Sequence, residues 1–568
     1  MKSKWLALLI AVMTIAALTG CAGTPAASAP ASAQATPSPS TEASAPQESV
    51  APPSQTAAAD AVWDPYTPYA ETVTFTKGVS KVTSENDITY EKNPFVDYVK
   101  EKFNIETKVA WEVDSANYDQ KVSLSIAAGE IPDIMVVNRK VFKQLLDNNL
   151  VADMTEAYDK CISPFLKEQL DVNGEALFKE VTVDGMLMGI PSPSLTHCHN
   201  VLWIRKDWLD KLGLQEPKTV DDILNVAKAF MEQDPGQNGK GATVGLTGPD
   251  TVYLGYNSWG GLDTMFNAFG AYPGSWITVD GKVAYGSVQP QMKDALTKLR
   301  DAYSQGILDK EFAIRKGEDR DALLAAGKLG MFFSVWWPAG GVVNSITNHP
   351  EAEWIALSSP VNAQGKLTTP TNDPLQAILI VRKGYEHPEA IVKALNGSYD
   401  VLRGNGDGAA AYADWQKNHA GLGWGYMPIA IEINYPDIVV RGVADIENAI
   451  AAAGDTSVLK YQMFAGEVPQ IMANRKDPKK DINNFMLDIA RTMGPKAAGD
   501  SNVEFVTTAF FGTTPAMETK WSNLKKMETE TILQIIMGEK PIDAFDTFVT
   551  QWNAAGGQEI LDEITAGK

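Results

Sequence analysis

From about residue 72 onward the chain switches repeatedly between two hydrophobic periods, one strand-like and one helical. Residues 72–76 alternate polar and apolar as a strand, Pro94–Phe103 carries a helical stripe, and residues 109–113 alternate again. Tyr118–Ala128 is helical in pattern and is broken by Gly129-Glu130-Ile131-Pro132-Asp133. Ile134–Val137 is apolar without interruption, as expected of a strand covered on both faces, and residues 140–148 read as the next helix. This alternation predicts a mostly parallel sheet with helices on both sides.

Residues 189–214, GIPSPSLTHCHNVLWIRKDWLDKLGL, depart from that grammar. An extended Gly-Ile-Pro run leads into a polar stretch holding His197 and His199, two of the five histidines. An apolar strand at 201–204 and a short helix stopped by Gly213 follow, a pattern expected where a chain first crosses between two lobes. Beyond it the alternation resumes. Thr219 and Asp222 form a capping-box start for a helix with Val220, Ile223, Ala227, Phe230 and Met231 on one face. Met292, Ala295, Leu296, Leu299 and Tyr303 form a second stripe, opened by Pro290 and closed by Gly306. Residues 331–335 and 377–381 read as buried strands, with Pro388 at a helix start after the latter. Helices are expected at 524–537 and 541–552 near the C-terminus, and no repeat of solenoid period is present.

At 568 residues the chain exceeds one ordinary core, and its 44% hydrophobic and 21% charged content is that of a globular protein. The N-terminus adds a second feature. Lys2 and Lys4 precede an apolar run from Trp5 to Ala17, and Leu18-Thr19-Gly20-Cys21 resembles the bacterial lipobox, whose cysteine thiol accepts the lipid. Residues 1–20 are therefore expected to be a lipoprotein signal, with Cys21 lipidated. Residues 21–65 are rich in Ala, Pro and Ser and are expected to form a disordered tether to the membrane. The formal charge of −21 becomes −23 once Lys2 and Lys4 leave with the signal, which disfavours nucleic acid as a partner. Cys161 and Cys198 are the remaining thiols, open to pairing or to burial as free cysteines.

Catalytic and metal signatures are weak. No Gly-x-Ser-x-Gly elbow, His-Glu-x-x-His or paired Cys-x-x-Cys occurs, and Gly404 to Gly408 lacks the lysine of a phosphate loop. Composition alone leaves a glycosidase carboxylate pair open. Residues 234–240 hold Asp234, Asn238 and Gly239 in an order like that of a calcium loop, with Lys240 following. Gly236 and Gly245 occupy positions where oxygen ligands are wanted, leaving at most a weak calcium site at Asp234, Asn238 and Lys240. Aromatic residues are more informative. Tyr256, Trp259, Trp276, Trp336, Trp337, Trp424 and Tyr426 often adjoin Gly or Pro, and indole faces stack on the C–H faces of sugars. Of Trp336 and Trp337, adjacent in a strand, one should leave the core.

The lipobox, the tether, AAGEIPDIMVVN (residues 127–138), MGIPSP, LWIRKDWLDKLGL, the WW pair and FGTTPAMETKW resemble, in that order, extracellular solute-binding lipoproteins of carbohydrate ABC importers. The resemblance is to the large oligosaccharide branch that includes alginate-oligosaccharide binders and LipO-like lipoproteins, and it spans essentially the whole chain. It implies an α/β, two-lobe periplasmic-binding-protein-like fold of type II, with mixed sheets flanked by helices and a hinge between lobes. Residues 66–192 and 372–425 would form lobe 1, and 200–368 with 430–568 lobe 2. Crossings would lie near 193–199, 369–373 and 426–430. The implied function is capture of an oligosaccharide and delivery to ABC permease subunits by a lipid-anchored monomer on the extracytoplasmic face of the cell membrane, without catalysis or an obligatory cofactor. The ligand contacts so implied are Asn138, Arg139, His199, Asn200, Trp336, Trp337, Asn372 and Asp373, to which the aromatic reading adds Tyr256, Trp259 and Trp276. For an acidic sugar, Arg139, Arg205 and Lys206 are the candidate cations. Alternatives are a binder of a peptide or other non-sugar solute, a secreted carbohydrate-active enzyme, and a sensory accessory protein.

Overall fold

The structure is a computed structural model that describes residues 62–81, 88–256, 258–337, 340–404, 406–419 and 424–567. The signal segment, Cys21 and the tether as far as residue 61 lie outside the described residues. Among those described, no helix is long and apolar enough to cross a membrane.

A five-stranded sheet runs in the order Ile105–Val113, Val73–Ser80, Ile134–Val137, Leu375–Val381, Ile190–Pro193. The first three strands are parallel, but Leu375–Val381 is antiparallel to both of its neighbours. The sheet is thus mixed, as the family resemblance implies, and not mostly parallel as the alternation alone predicts. The reason is topological. Ile190–Pro193 ends where the chain leaves this sheet, whereas Leu375–Val381 begins where the chain returns, so the two must run in opposite directions. Pro94–Phe103 buries Phe95, Val96, Val99 and Phe103, with Asn93 capping its N-terminus. It lies close against Pro388–Arg403. A Cβ on Gly397 would come within 2.8 Å of both Val99 and Phe103, so only glycine permits this approach.

A second sheet runs in the order Trp354–Leu357, Val201–Arg205, Leu329–Ser334, Val244–Leu246. Val201–Arg205 is antiparallel to both neighbours, and Leu329–Ser334 is parallel to Val244–Leu246. The two central strands are buried along their whole length. Their two-residue period divides them between two cores. Leu202, Ile204, Met331 and Phe333 face one core, which also receives Val220–Gln233, Met292–Ser304 and the C-terminal helices. Val201, Trp203 and Phe332 face the other, with Ile346, Trp354, Phe485 and Ile489.

Several expected helices are matched closely, among them Tyr118–Ala128 and Lys206–Leu212, the latter ended by Gly213 in the left-handed conformation. The expected helix at 524–537 is longer, Pro515–Ile536, because Thr514 caps it and Pro515 suits its first turn. Ile429, Ile431 and Ile433 belong to the core of the first sheet, and the Ile431 carbonyl accepts from the Tyr399 hydroxyl at 2.9 Å. Cys161 and Cys198 are both buried free thiols.

Candidate ligand-binding site

The segments joining the two sheets are stitched to one another. Asn372 donates from Nδ2 to the carbonyls of Leu195 and Cys198, both at 2.8 Å. Ser194 N–H donates to the Pro374 carbonyl at 3.0 Å, and the Ser194 hydroxyl donates to the Asp373 carbonyl. Thr508 N–H donates to the Thr371 hydroxyl at 2.9 Å, while the Thr508 hydroxyl donates to the Thr371 carbonyl at 2.8 Å. Chain segments far apart in sequence thus meet as one junction.

Beside this junction lies a cavity of about 380 Å³. Its aromatic lining is Tyr256, Trp276, Phe510, Phe511 and Trp521, and Trp276 and Trp521 stack with ring centroids 6.2 Å apart at 28°. Behind them Tyr285 stacks on Trp552 at 4.8 Å. The polar lining includes His199, Asn200, Asp263, Thr264, Thr371, Asn372 and Thr508. Asn200 donates to the Gly255 carbonyl at 3.0 Å and to the Ser258 hydroxyl at 3.2 Å, and Asp263 accepts from the N–H groups of Leu254 (3.1 Å) and Gly255 (2.8 Å). Between them these two side chains hold the loop that carries Tyr256. Asn200 Oδ1 and Thr264 Oγ1 are buried without a hydrogen bond among the described residues. Flat aromatic faces and hydrogen-bonding groups in one concavity suit a hydroxyl-rich ligand.

Burial sets the charge states. It pushes the His199 pKa down and the Asp263 carboxyl up. It also lowers Lys525 to about 8 and raises Glu528 well above the usual carboxylate range. Glu528 is fully buried and accepts from the Tyr285 hydroxyl (2.9 Å), the Ser287 hydroxyl (2.7 Å) and Lys525 (2.9 Å). Tyr285 is paired with Trp276 across an antiparallel hairpin, so Glu528 braces the aromatic wall from behind.

Of the residues singled out in the sequence, His199, Asn200, Tyr256, Trp276 and Asn372 line this cavity. The others lie elsewhere. Asn138 caps the helix Arg139–Asp147, accepting from Val141 N–H at 3.0 Å. Arg139 is bidentate to Asp373, with one bond at 2.6 Å, and donates to Glu180 at 3.0 Å. Trp259 donates from Nε1 to Asp321 at 2.7 Å and packs on Phe332. Trp336 is half-buried beside Arg491, whereas Trp337 is exposed. Asp263, Phe510, Phe511 and Trp521 were not singled out. FGTTPAMETKW contains the last two, but nothing in a run of letters brings it beside residues 199 and 276.

A second cavity, of about 320 Å³, lies on the first sheet and is lined by Lys77, Tyr90, Tyr118, Met135, Pro428 and Ala430, among others. It adjoins the carboxyl-terminal half of Val73–Ser80 and the first three residues of Ile134–Val137.

The residues of the calcium-like loop do not fit the ion. Asp234 accepts from Asn238 N–H (3.0 Å), the Thr243 hydroxyl (2.6 Å) and Gly239 N–H (2.8 Å), and Asn238 donates to Thr243 and to the Gly327 carbonyl. Lys240 is exposed and brings a cation rather than an oxygen. Calcium wants six to eight oxygens, whereas Asp234 is the only carboxylate in this loop and already serves as its internal acceptor. Among the described residues no group of three or more His, Cys, Asp or Glu is placed to hold a metal.

Comparison with known proteins agrees with this architecture. Lipoprotein LipO of Bacillus subtilis is 24% identical over 498 residues, covering 84% of this chain and 88% of that protein. The B. subtilis polygalacturonan/rhamnogalacturonan-binding protein YtcQ is 27% identical over 244 residues, 42% of this chain and 46% of the relative. In three dimensions the chain is similar to an HMO-binding, ABC-transporter-associated solute-binding protein from Bifidobacterium longum infantis. The TM-score is 0.59 at 15% identity, covering 87% of this chain and 98% of that one. YtcQ and the Bifidobacterium protein are binding proteins by name, and the likeness to the latter is one of two-lobe α/β fold. The family model for bacterial extracellular solute-binding proteins matches residues 86–396, more than half of the sequence, and the chain belongs to that family.

Proposed function

We propose that the protein is a lipid-anchored extracytoplasmic receptor that captures an oligosaccharide between two lobes and delivers it to the permease of an ABC importer. The observation that carries this reading is the junction-side cavity, with stacked Trp276 and Trp521 next to His199, Asn200 and Asn372. Lobe 1 would comprise residues 66–192 and 372–433, and lobe 2 residues 200–368 and 438–567. A third crossing at 434–437, in place of the one expected near 426–430, is supported by the packing of Ile429, Ile431 and Ile433 with the first sheet and of Ile438 and Val439 with Cys198 in a separate cluster. A glycan touching both lobes only when they are closed shifts the population toward closure, and no covalent step is required. The name of YtcQ supports a glycan ligand, and that of LipO supports the anchor expected at Cys21.

Titration of the purified protein with a glycan panel, followed by tryptophan fluorescence and small-angle scattering, tests the reading. Quenching or enhancement with a smaller radius of gyration is expected for the cognate sugar, and no compaction with any glycan counts against it. In cells, Cys21→Ala should release the protein from the membrane fraction.

A further inference from the structure

We infer that the ligand taken at the junction-side cavity is an uncharged glycan, and that oligouronates and other anionic saccharides are excluded. This inference rests on the proposed reading of that cavity as the sugar site. Among its described lining residues there is no lysine or arginine, and the one carboxylate is Asp263. Its oxygens accept the N–H groups of Leu254 and Gly255, which fixes the carboxylate in the wall. Burial lowers the His199 pKa and so disfavours a compensating charge, although its Nδ1, 2.7 Å from the Asn200 carbonyl, pulls the other way.

The candidate cations are already engaged. Arg139 is held by Asp373 and Glu180, Arg205 by Asp207 at 2.6 Å, and Lys206 by Asp210. Arg320 donates to the carbonyls of Arg315 and Trp259. Lys525, whose charge is felt by Asp263, donates to Glu528 and to Tyr285 behind the aromatic wall. In the second cavity, Lys77 turns its ammonium to the carbonyls of Met427 (2.7 Å) and Pro428 (3.3 Å). A uronate carboxylate entering the junction-side cavity would lose its hydration, gain no cation and meet Asp263. Neutral hydroxyls instead find acceptors in Asp263, Asn200 and the threonines. Selectivity here comes from a repulsive element as well as from complementary contacts.

The test uses the full-length mature protein and two series matched in chain length, one neutral (malto-, xylo-, cello- and fructo-oligosaccharides) and one anionic (oligogalacturonates and alginate oligomers). Isothermal titration should show a neutral series binding at least about 100-fold more tightly than the anionic one. Its Kd should change less than about twofold between roughly 0.02 and 0.5 M NaCl. An oligouronate that binds as tightly as the best neutral glycan overturns the inference and leaves the oligosaccharide reading standing. Its loss in Lys77→Met would then place the anion in the second cavity. Absence of binding in both series overturns the reading and the inference together. In Asp263→Asn the preference for the neutral series should narrow by about tenfold, and an unchanged ratio overturns the role given to Asp263.

Discussion

Lys77 lies in the middle of a central strand, 5% exposed, with its Nζ 5.1 Å from the centre of the Tyr90 ring. Its hydrogen bonds go to two carbonyls, and among the described residues it forms no ion pair with a carboxylate. Burial pushes its pKa from the ordinary 10.5 down to about 7. The sign of the consequence is fixed by proton linkage. Between about pH 7 and 10.5 the unfolded chain holds a proton that the native state has released, so this residue makes stability rise with pH. Below about pH 7 both states are protonated and the full burial penalty is present. The fall corresponds to about 4–5 kcal/mol over the whole interval, or about 1.4 kcal/mol per pH unit. Lys77→Met keeps the unbranched stem and removes the proton. Urea unfolding of both proteins from about pH 7 to 10, followed by far-ultraviolet circular dichroism, should give a steeper rise for the wild type, with a difference of about 3–4 kcal/mol across that range. Parallel profiles would refute the reasoning, since they would mean that Lys77 keeps an ordinary pKa in the folded state.

Asn372→Ala removes two bonds that tie the crossings together and leaves the Leu195 and Cys198 carbonyls unpaired. A loss of about 1–3 kcal/mol in thermal or urea unfolding is expected, together with weaker glycan binding by titration. Glu528→Leu leaves the Tyr285 and Ser287 hydroxyls and Lys525 without their acceptor and should cost about 3–5 kcal/mol. Glu528→Gln, which retains an acceptor and resembles the neutral acid, should cost much less, and equal losses in the two melts would contradict the raised pKa. Millimolar calcium or a chelator should shift Tm by less than about 1 °C, because a ligand without a native-state site adds no linkage stabilisation. A saturable, calcium-dependent rise would show that the Asp234 loop rearranges to bind the ion.

Local elements were legible wherever their physics is local. Pro94 opens a helix through its preset backbone angle, and Gly213 stops another because it tolerates the left-handed conformation. The apolar runs at 134–137 and 201–204 declare buried strands, since only strands covered on both faces lack alternation. Family motifs pointed further, to the crossing and to His199, Asn200 and Asn372, while the aromatic residues beside Gly or Pro pointed to Tyr256 and Trp276. The direction of Leu375–Val381 was not legible. It depends on which end of the sheet the chain re-enters, a consequence of everything between residues 194 and 374.

The sequence by itself therefore determined the elements, the α/β class, the acidic charge and the aromatic supply for a sugar site. Tertiary structure decided which residues meet. It placed Asp263, Phe510 and Trp521 beside His199 and Asn372, consumed Arg139 in ion pairs with Asp373 and Glu180, and turned Asp234 inward on its own loop. Hydrophobic periodicity reports whether a side chain is buried, through spacing along one element. The identity of its neighbour is set by strand order and crossing geometry, which separate residues 199 and 521 in sequence and join them in one cavity.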